Sequence, residues 1–370
     1  MDRVRLGDIL EYEQPSKYIV KSDQYKDDYK IPVLTAGKTF ILGYTNESEG
    51  IYNASPENPI ILFDDFTTEC RYIDFDFKVK SSAVKILKPI GKVYLKYIYY
   101  VLKSIVYDTT SHKRYWISQY SNFLVTLPDA EFQKKVVEKL EKIENLISIK
   151  KKELLKLDKL TKSQFVEMFG NPVLNEKGWK KKKLSEECNI ITGNTPSRNV
   201  KEYYGNYIEW IKSDNINTPS NYITKATEYL SESGMKVGRT IGSDSILMTC
   251  IAGSISCIGN VAMTDRKVAF NQQINGIETL NNNTWFMYFQ FILSQQYIQS
   301  TINMCLKGIL SKGNLSELEF IFPPIELQNQ FAEVAKLIDK QKAICNKEIK
   351  RIDELIETQK LKYFGGVISE

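Results

Sequence analysis

One histidine, His112, stands in a chain of 370 residues. A single imidazole cannot build an HExxH zinc site or a His-rich metal cage, and it leaves a Ser-His-Asp triad only one possible base. Between Ser111 and Lys113 it reads as a solvated loop residue. The six cysteines (Cys70, Cys188, Cys250, Cys257, Cys305, Cys345) form no CxxC pair. No apolar run approaches the length that spans a bilayer, so no membrane partner is expected. The opening MDRVRLGDILEYE is charged throughout and lacks the apolar stretch of a secretory signal. The cysteines are therefore expected to be reduced thiols in a cytoplasm. No glycine-rich cofactor loop follows a predicted strand. Asn171-Pro172-Val173-Leu174 lacks the second proline and the aromatic of an adenine methylase motif.

What is present describes a globular protein, with 42% hydrophobic and 26% charged residues. The length predicts two or three domains. A net charge of +5 allows nucleic acid as a partner without arguing for it. The runs Lys150–Lys152 and Lys180–Lys183 read by default as solvated surface.

The chain says one thing twice. Residues 128–170 return without a gap as residues 323–365. Pro128 falls on Pro323, Glu131 on Glu326, Gln133 on Gln328, Asp158 on Asp353, Gln164 on Gln359, and Phe169-Gly170 on Phe364-Gly365. A two-fold repeat implies a two-fold target or partner. Each copy reads in heptads. Val136, Leu140, Ile143, Ile147, Leu154, Leu157 and Met168 form one seam. Phe331, Ala335, Ile338, Cys345, Ile349, Ile352, Ile356 and Tyr363 form the other. Lys150, Thr161, Gln164, Lys342 and Gln359 also occupy seam positions, where polar residues cost stability but fix register. Leu146, Leu155 and Leu160 widen the apolar stripe enough to hold a second partner. Prolines open each helix and Gly170 and Gly365 close it. Glu131–Phe169 would be roughly 58 Å long at about 1.5 Å per residue. Two such helices in one chain pair most simply with each other, antiparallel.

The expected fold class is α/β: two mixed α+β globules and two long α-helices in an antiparallel coiled coil, related by a pseudo-two-fold repeat. The expected domains are residues 1–127, helix 128–176, residues 177–322 and helix 323–370. Ile60–Phe63, Phe75–Val79, Ile246–Thr249 and Asn260–Met263 read as strands, and Val93–Val106 and Trp285–Met304 as helices. Both globules open on a related phrase, VRLGDI (Val4–Ile9) and KKLSEE (Lys182–Glu187), so the repeat extends weakly beyond the helices.

Several phrases together resemble the specificity subunit of type I restriction-modification systems. They are the proline-then-E-x-Q helix starts, the Phe-Gly helix ends, and WKKKKLSEECNIITGNTPSR (Trp179–Arg198) with its G-x-T-P-S element. KGILSKGNLSELEFIFPPIELQ (Lys307–Gln328) and the strand region Asn58–Leu87 complete the set. The resemblance covers the full chain. It implies a non-catalytic protein with two target-recognition domains, each reading one half of a split, asymmetric site in double-stranded DNA. It further implies that the helices set half-site spacing and dock two adenine-N6 methyltransferase subunits, which two restriction/translocase subunits can join. No cofactor is expected in this chain; S-adenosylmethionine, ATP and magnesium are expected in the partners.

Phosphate contacts come from Lys, Arg, Ser, Thr, Tyr and backbone N–H in exposed loops, and base contacts favour Arg or Lys on guanine and Asn or Gln on adenine. In the first globule that chemistry selects Lys38 in Gly37–Thr39, Arg71 in Thr67–Tyr72, and Lys113, Arg114 and Tyr115 in Ser111–Trp116, where cations and aromatics interleave. In the second it selects Thr195, Ser197, Arg198, Lys212, Ser213, Asn215, Ser254, Ser256, Gln272, Gln273 and Lys312.

Two rival readings stand beside this one. Asp64 and Asp76-Phe77-Lys78 have the carboxylate-x-lysine spacing of a metal-dependent nuclease. The helices alone would suit a protein–protein scaffold without DNA readout, although such a scaffold needs no two large, dissimilar globules.

Overall fold

The computed structural model describes residues 3–35, 39–105, 114–302, 309–365 and 368–369. The first globule contains β1 (Arg3–Arg5), α1 (Leu6–Ile9), β2 (Leu10–Glu13), β3 (Ile31–Leu34), β4 (Ile41–Thr45), β5 (Ile60–Asp64), β6 (Cys70–Ile73), β7 (Lys78–Val79), β8 (Val84–Pro89), α2 (Leu95–Ser104), α3 (Tyr115–Ser118) and β9 (Leu124–Thr126). The long helix α4 (Ala130–Phe169) follows. The second globule contains β10 (Lys181–Lys183), α5 (Leu184–Glu187), β11 (Cys188–Thr192), β12 (Tyr204–Ile211), β13 (Tyr229–Leu230), α6 (Glu232–Val237), β14 (Thr240–Ile241), β15 (Ile246–Thr249), β16 (Val261–Met263), β17 (Val268–Phe270), β18 (Ile274–Thr279), α7 (Thr284–Leu293), α8 (Gln295–Ser300), α9 (Lys312–Glu317) and β19 (Glu319–Ile321). The chain closes with the long helix α10 (Ile325–Phe364) and β20 (Ile368–Ser369).

Two compact units result, Met1–Lys151 with Glu348–Glu370 and Lys152–Lys347. Each holds one globule and part of both long helices. Their sheets repeat. The first has the order β2-β8-β5-β6 beside β4-β3-β7; the second has β11-β18-β15-β16 beside β13-β12-β17-β14. In both, the second sheet sets an antiparallel pair (β3–β4, β12–β13) beside a parallel pair (β3–β7, β12–β17), and the second globule adds β14 antiparallel to β17. The related opening phrases fall on β1–α1 and β10–α5, so the repeat that is faint in sequence extends through the sheets of both globules. The inner strands β5 and β15 are buried at every residue, which explains their unbroken apolar runs. Of the strand expected at Phe75–Val79, Lys78–Val79 forms β7 and Phe77 makes an antiparallel bridge to Tyr52. The helix expected from Trp285 breaks at Ser294, whose amide bonds back to the carbonyls of Gln290 and Phe291; the end of that range lies outside the described residues.

All the seam positions on both helices, polar ones included, are buried or half-buried. In the first unit Lys150 pairs with Glu348 at 2.9 Å, and Phe132 meets Tyr363 with ring centroids 6.1 Å apart. In the second, Asp158 pairs with Lys342 at 2.5 Å and Phe165 meets Phe331 at 5.3 Å. Partner numbers fall along α10 as they rise along α4, so the packing is antiparallel in each unit.

The repeated phrases have repeated jobs. The Gln133 side chain donates to the Pro128 carbonyl at 2.7 Å, and that of Gln328 to Pro323 at 2.8 Å. Phe169 packs on Phe286 of α7, and Phe364 on Tyr97 of α2. Gly170 adopts φ +76, a left-handed conformation that ends α4, and its amide bonds to Val166.

Candidate nucleic-acid interface

In the second globule the G-x-T-P-S segment leaves β11 and lies against the turn between β17 and β18. The Gly193 amide donates to Ile274 at 3.0 Å and the Asn194 amide to Phe270 at 3.1 Å. Only glycine allows this approach, because a Cβ at Gly193 would stand 2.2 Å from the Asn271 carbonyl oxygen. The contact places Thr195, whose hydroxyl donates to the Gln272 carboxamide, on the same surface as the glutamine turn. Gln273 accepts from Asn271 Nδ2 at 3.0 Å, and its carbonyl holds the amide of Cys250 at 2.7 Å. The loop beyond Cys250 carries Ser254 and Ser256, whose hydroxyls meet at 2.7 Å. Gln299 holds that loop from behind through the Ile255 and Ile258 carbonyls. Burial pushes the Cys250 thiol itself up to about 12.

The adjoining surface is a clamped pair of cations. Arg198 lies 4.4 Å from the Tyr204 ring and 5.0 Å from that of Trp210, and Lys212 lies 5.3 Å from Trp210. Both donate to Glu228 at 2.7 Å, which holds that carboxyl below the usual carboxylate range. Tyr204 and Trp210 are tied to the Pro196 and Asn194 carbonyls, so the cations and the G-x-T-P-S loop form one platform. The sequence flagged Arg198 and Lys212 but not their aromatic and acidic supports. Asn215 is buried and structural: its carboxamide accepts from the Lys212 amide and donates to the Lys225 carbonyl. Ser213 opens the short turn that follows Lys212. Ser197 is exposed beside Arg198, and Lys312 is exposed at the start of α9, two residues after Leu310, whose amide bonds to Cys250.

The first globule treats its candidates differently. Lys38 and Lys113 lie outside the described residues, with Gly37, Ser111 and His112. Arg71 is half-buried on β6, 5.8 Å from the Phe40 ring. Arg114 is exposed. Tyr115 corrects the sequence reading: it is 2% exposed, in the core with Trp116. The reason is local. Asp65 accepts the Tyr115 amide on its carbonyl at 3.0 Å and the Trp116 amide on its carboxylate at 2.8 Å, and the short helix so started turns both rings inward, where Trp116 meets Phe63 at 5.5 Å.

Of the groups in the nuclease reading, Asp64 and Lys78 are engaged in structure and Asp76 is exposed. Asp64 accepts the amides of Phe66 and Thr67 in a turn, and buried Lys78 donates to the Glu49 and Gly50 carbonyls and pairs with Glu47 at 3.0 Å. Among the described residues no group of three or more His, Cys, Asp or Glu side chains is placed to hold a metal, and no helix is long and apolar enough to cross a membrane.

A duplicated α/β globule whose loops offer amides and stacked cations, set on a long helix pair, suits a DNA sequence-recognition subunit. Residues 1–159 and 176–354 match the type I restriction modification DNA specificity domain, and the chain belongs to that family. It is a specificity subunit of a type I restriction-modification system and not itself a catalyst. It is 31% identical over 379 residues to the specificity subunit of the type I restriction enzyme EcoR124I/EcoR124II of Escherichia coli, covering 97% of this chain and 91% of that one. The HindI specificity subunit of Haemophilus influenzae is 30% identical over 195 residues, 49% of this chain and 40% of that one. The crystal structure of a type I S subunit from M. genitalium shares the fold, with TM-score 0.61 and 14% identity over 97% of this chain and 94% of that one. So does a chain from a structure concerned with complex assembly of the type I system, with TM-score 0.58 over 98% and 97%.

Proposed function

We propose that each globule reads one half of a split, asymmetric site in double-stranded DNA, and that the helix pair sets the half-site spacing and docks two adenine methyltransferase subunits. One observation carries this reading: the fold is duplicated through both globules and both helices, while the residues on the loops differ between copies. Matching scaffolds suit two identical partners, and unlike loops suit unlike half-sites. Each unit also exposes the same apolar set at repeat-equivalent helix positions, Ile149, Leu355 and Leu361 in the first and Ile344, Leu160 and Val166 in the second. Such patches beside a satisfied seam suit a protein partner.

In this reading Thr195, Ser197, Arg198, Lys212, Ser254, Gln272, Gln273 and Lys312 contact one half-site. Lys38, Arg71, Lys113 and Arg114 contribute to the other. S-adenosylmethionine, ATP and magnesium belong to the partner subunits, the restriction/translocase pair joins the methyltransferases, and the complex works in the cytoplasm. The test replaces residues 177–322 with the corresponding globule of a relative and reads the methylated motif of cells carrying the assembled system. One half of the motif changes and the other stays. A motif that changes in both halves or in neither, or a complex whose mass holds one methyltransferase at saturation, defeats the proposal.

A further inference from the structure

We infer that the first globule reads its DNA half-site from the turn Lys80–Ala83 and the neighbouring segment Lys21–Tyr25, the counterparts of the glutamine turn and the G-x-T-P-S loop of the second globule. This rests on the two-globule reading above and locates its missing half.

The correspondence comes from backbone register. In the parallel pair of the first globule Leu34 stands opposite Val79; in that of the second Ile211 stands opposite Phe270. The next amide then bonds across in the same way, Lys80 to the Leu34 carbonyl at 2.9 Å and Asn271 to the Ile211 carbonyl at 3.1 Å. The incoming loop repeats too, with the Val20 amide on the Val79 carbonyl at 2.9 Å and the Asn194 amide on the Phe270 carbonyl at 3.1 Å. Both turns feed a six-residue strand with the same burial, β8 or β18. Lys80 and Ser81 therefore occupy the places of Asn271 and Gln272, and Lys21 that of Thr195.

The chemistry at these places suits DNA. Lys80 pairs with Asp23 and lies 5.8 Å from the Tyr25 ring, a cation held by a carboxylate and an aromatic as Arg198 is. Lys21 is 79% exposed on its side chain. Its amide and that of Ser22 are fixed on the Glu47 carboxylate at 2.8 and 2.9 Å. Ser81 and Ser82 are exposed, and the Ser81 hydroxyl accepts the Ala83 amide, shaping the turn. The Ala83 carbonyl accepts the Asp65 amide at 3.1 Å, and Asp65 holds Tyr115, so exposed Arg114 borders the same surface. Lysine reads guanine and serine either member of a pair, whereas glutamine favours adenine. The two turns thus suit different bases.

The test uses the full chain assembled with its methyltransferase partner. The methylated motif is read, and binding to duplexes altered in one half-site at a time is measured, for Lys80→Ala with Ser82→Ala and for Gln272→Ala with Gln273→Ala. Each double variant relaxes one half only, and not the same half, with discrimination at the affected position falling about tenfold or more. Ser82→Asp, which leaves Lys80 and the Ser81 hydrogen bond intact, weakens binding of the same half as the lysine variant and guards against a folding defect. Wild-type motif and affinity in both first-globule variants, with one half-site lost in the glutamine variant, overturns the inference and leaves the two-globule reading standing. Wild-type behaviour in all three overturns both.

Discussion

Gly193→Ala tests whether the platform proposed to read DNA in the second globule is built as the structure has it. A Cβ there would lie 2.2 Å from the Asn271 carbonyl oxygen and 2.6 Å from the Phe270 ring, so the two loops must part by about 1 Å to reach ordinary contact. The bonds from Gly193 to Ile274 and from Asn194 to Phe270 span 3.0 and 3.1 Å, and that shift carries both out of range. Each is worth about 0.5–1.5 kcal/mol net, and more if its groups stay dry. Alanine recovers about 0.4–1 kcal/mol by stiffening the unfolded chain. The expected loss is up to about 2.6 kcal/mol, more where the freed groups stay dry, or up to roughly 10 °C in the melting of a unit this size. The Thr195–Gln272 contact goes with it, so the assembled complex loses discrimination at one half-site. Gly242→Ala, where a Cβ meets nothing within 4 Å, is the control. Calorimetry and duplex binding are the measurements. If Gly193→Ala melts with the control and keeps its discrimination, the loop does not rest on the turn.

Three further outcomes are expected. Phe331→Ala empties a fully buried site among Phe165, Phe169 and Phe289 and costs about 3–5 kcal/mol in urea unfolding; a loss under 1 kcal/mol would mean the aromatic cluster is not packed. Burial pushes the thiols of Cys70, Cys188 and Cys250 up to about 12, so near pH 8 iodoacetamide labels half-exposed Cys257 well before those three, as peptide mass spectrometry would record. Inserting four residues near the midpoint of each long helix lengthens the methylated motif's spacer by up to about two base pairs and leaves its half-sites alone; an unchanged spacer would remove the helices' measuring role.

The helices were legible because their signals are local. Heptad spacing, terminal prolines and Phe-Gly ends each depend on residues a few positions apart, and the seam runs through Thr161 and Lys342 as well as the apolar positions. The platform of the second globule was partly legible, since G-x-T-P-S and the glutamine pair carry their chemistry openly. Its supports were not. Glu228, Tyr204 and Trp210 acquire their roles only when β12 and β13 bring them to Arg198 and Lys212. Tyr115 shows the opposite failure. Beside Arg114 it looked like part of an exposed cation–aromatic run, but the burial of a short helix is set by what it packs on, here Phe63 of β5 against Trp116. The turn Lys80–Ala83 gave no sequence signal, because Lys-Ser-Ser-Ala has no likeness to Asn-Gln-Gln and only the paired registers align them.

That contrast explains why one half of the repeat stayed visible and the other did not. At the helix starts the recurring contact is made by a side chain, Gln133 to Pro128 and Gln328 to Pro323, and losing the glutamine leaves the carbonyl without its partner. The residue therefore has to recur. At the two matching turns proposed to read DNA the recurring contacts run from backbone to backbone, Lys80 to Leu34 and Asn271 to Ile211, with Val20 and Asn194 repeating the pattern. Any residue but proline can make such a bond, so the side chains above it are free to differ. A scaffold held by side chains keeps its sequence, and a reading surface held by its backbone can exchange glutamine for lysine or serine without losing its shape. On the proposed reading, the surface most open to change is thus the one where a change would alter which base is read.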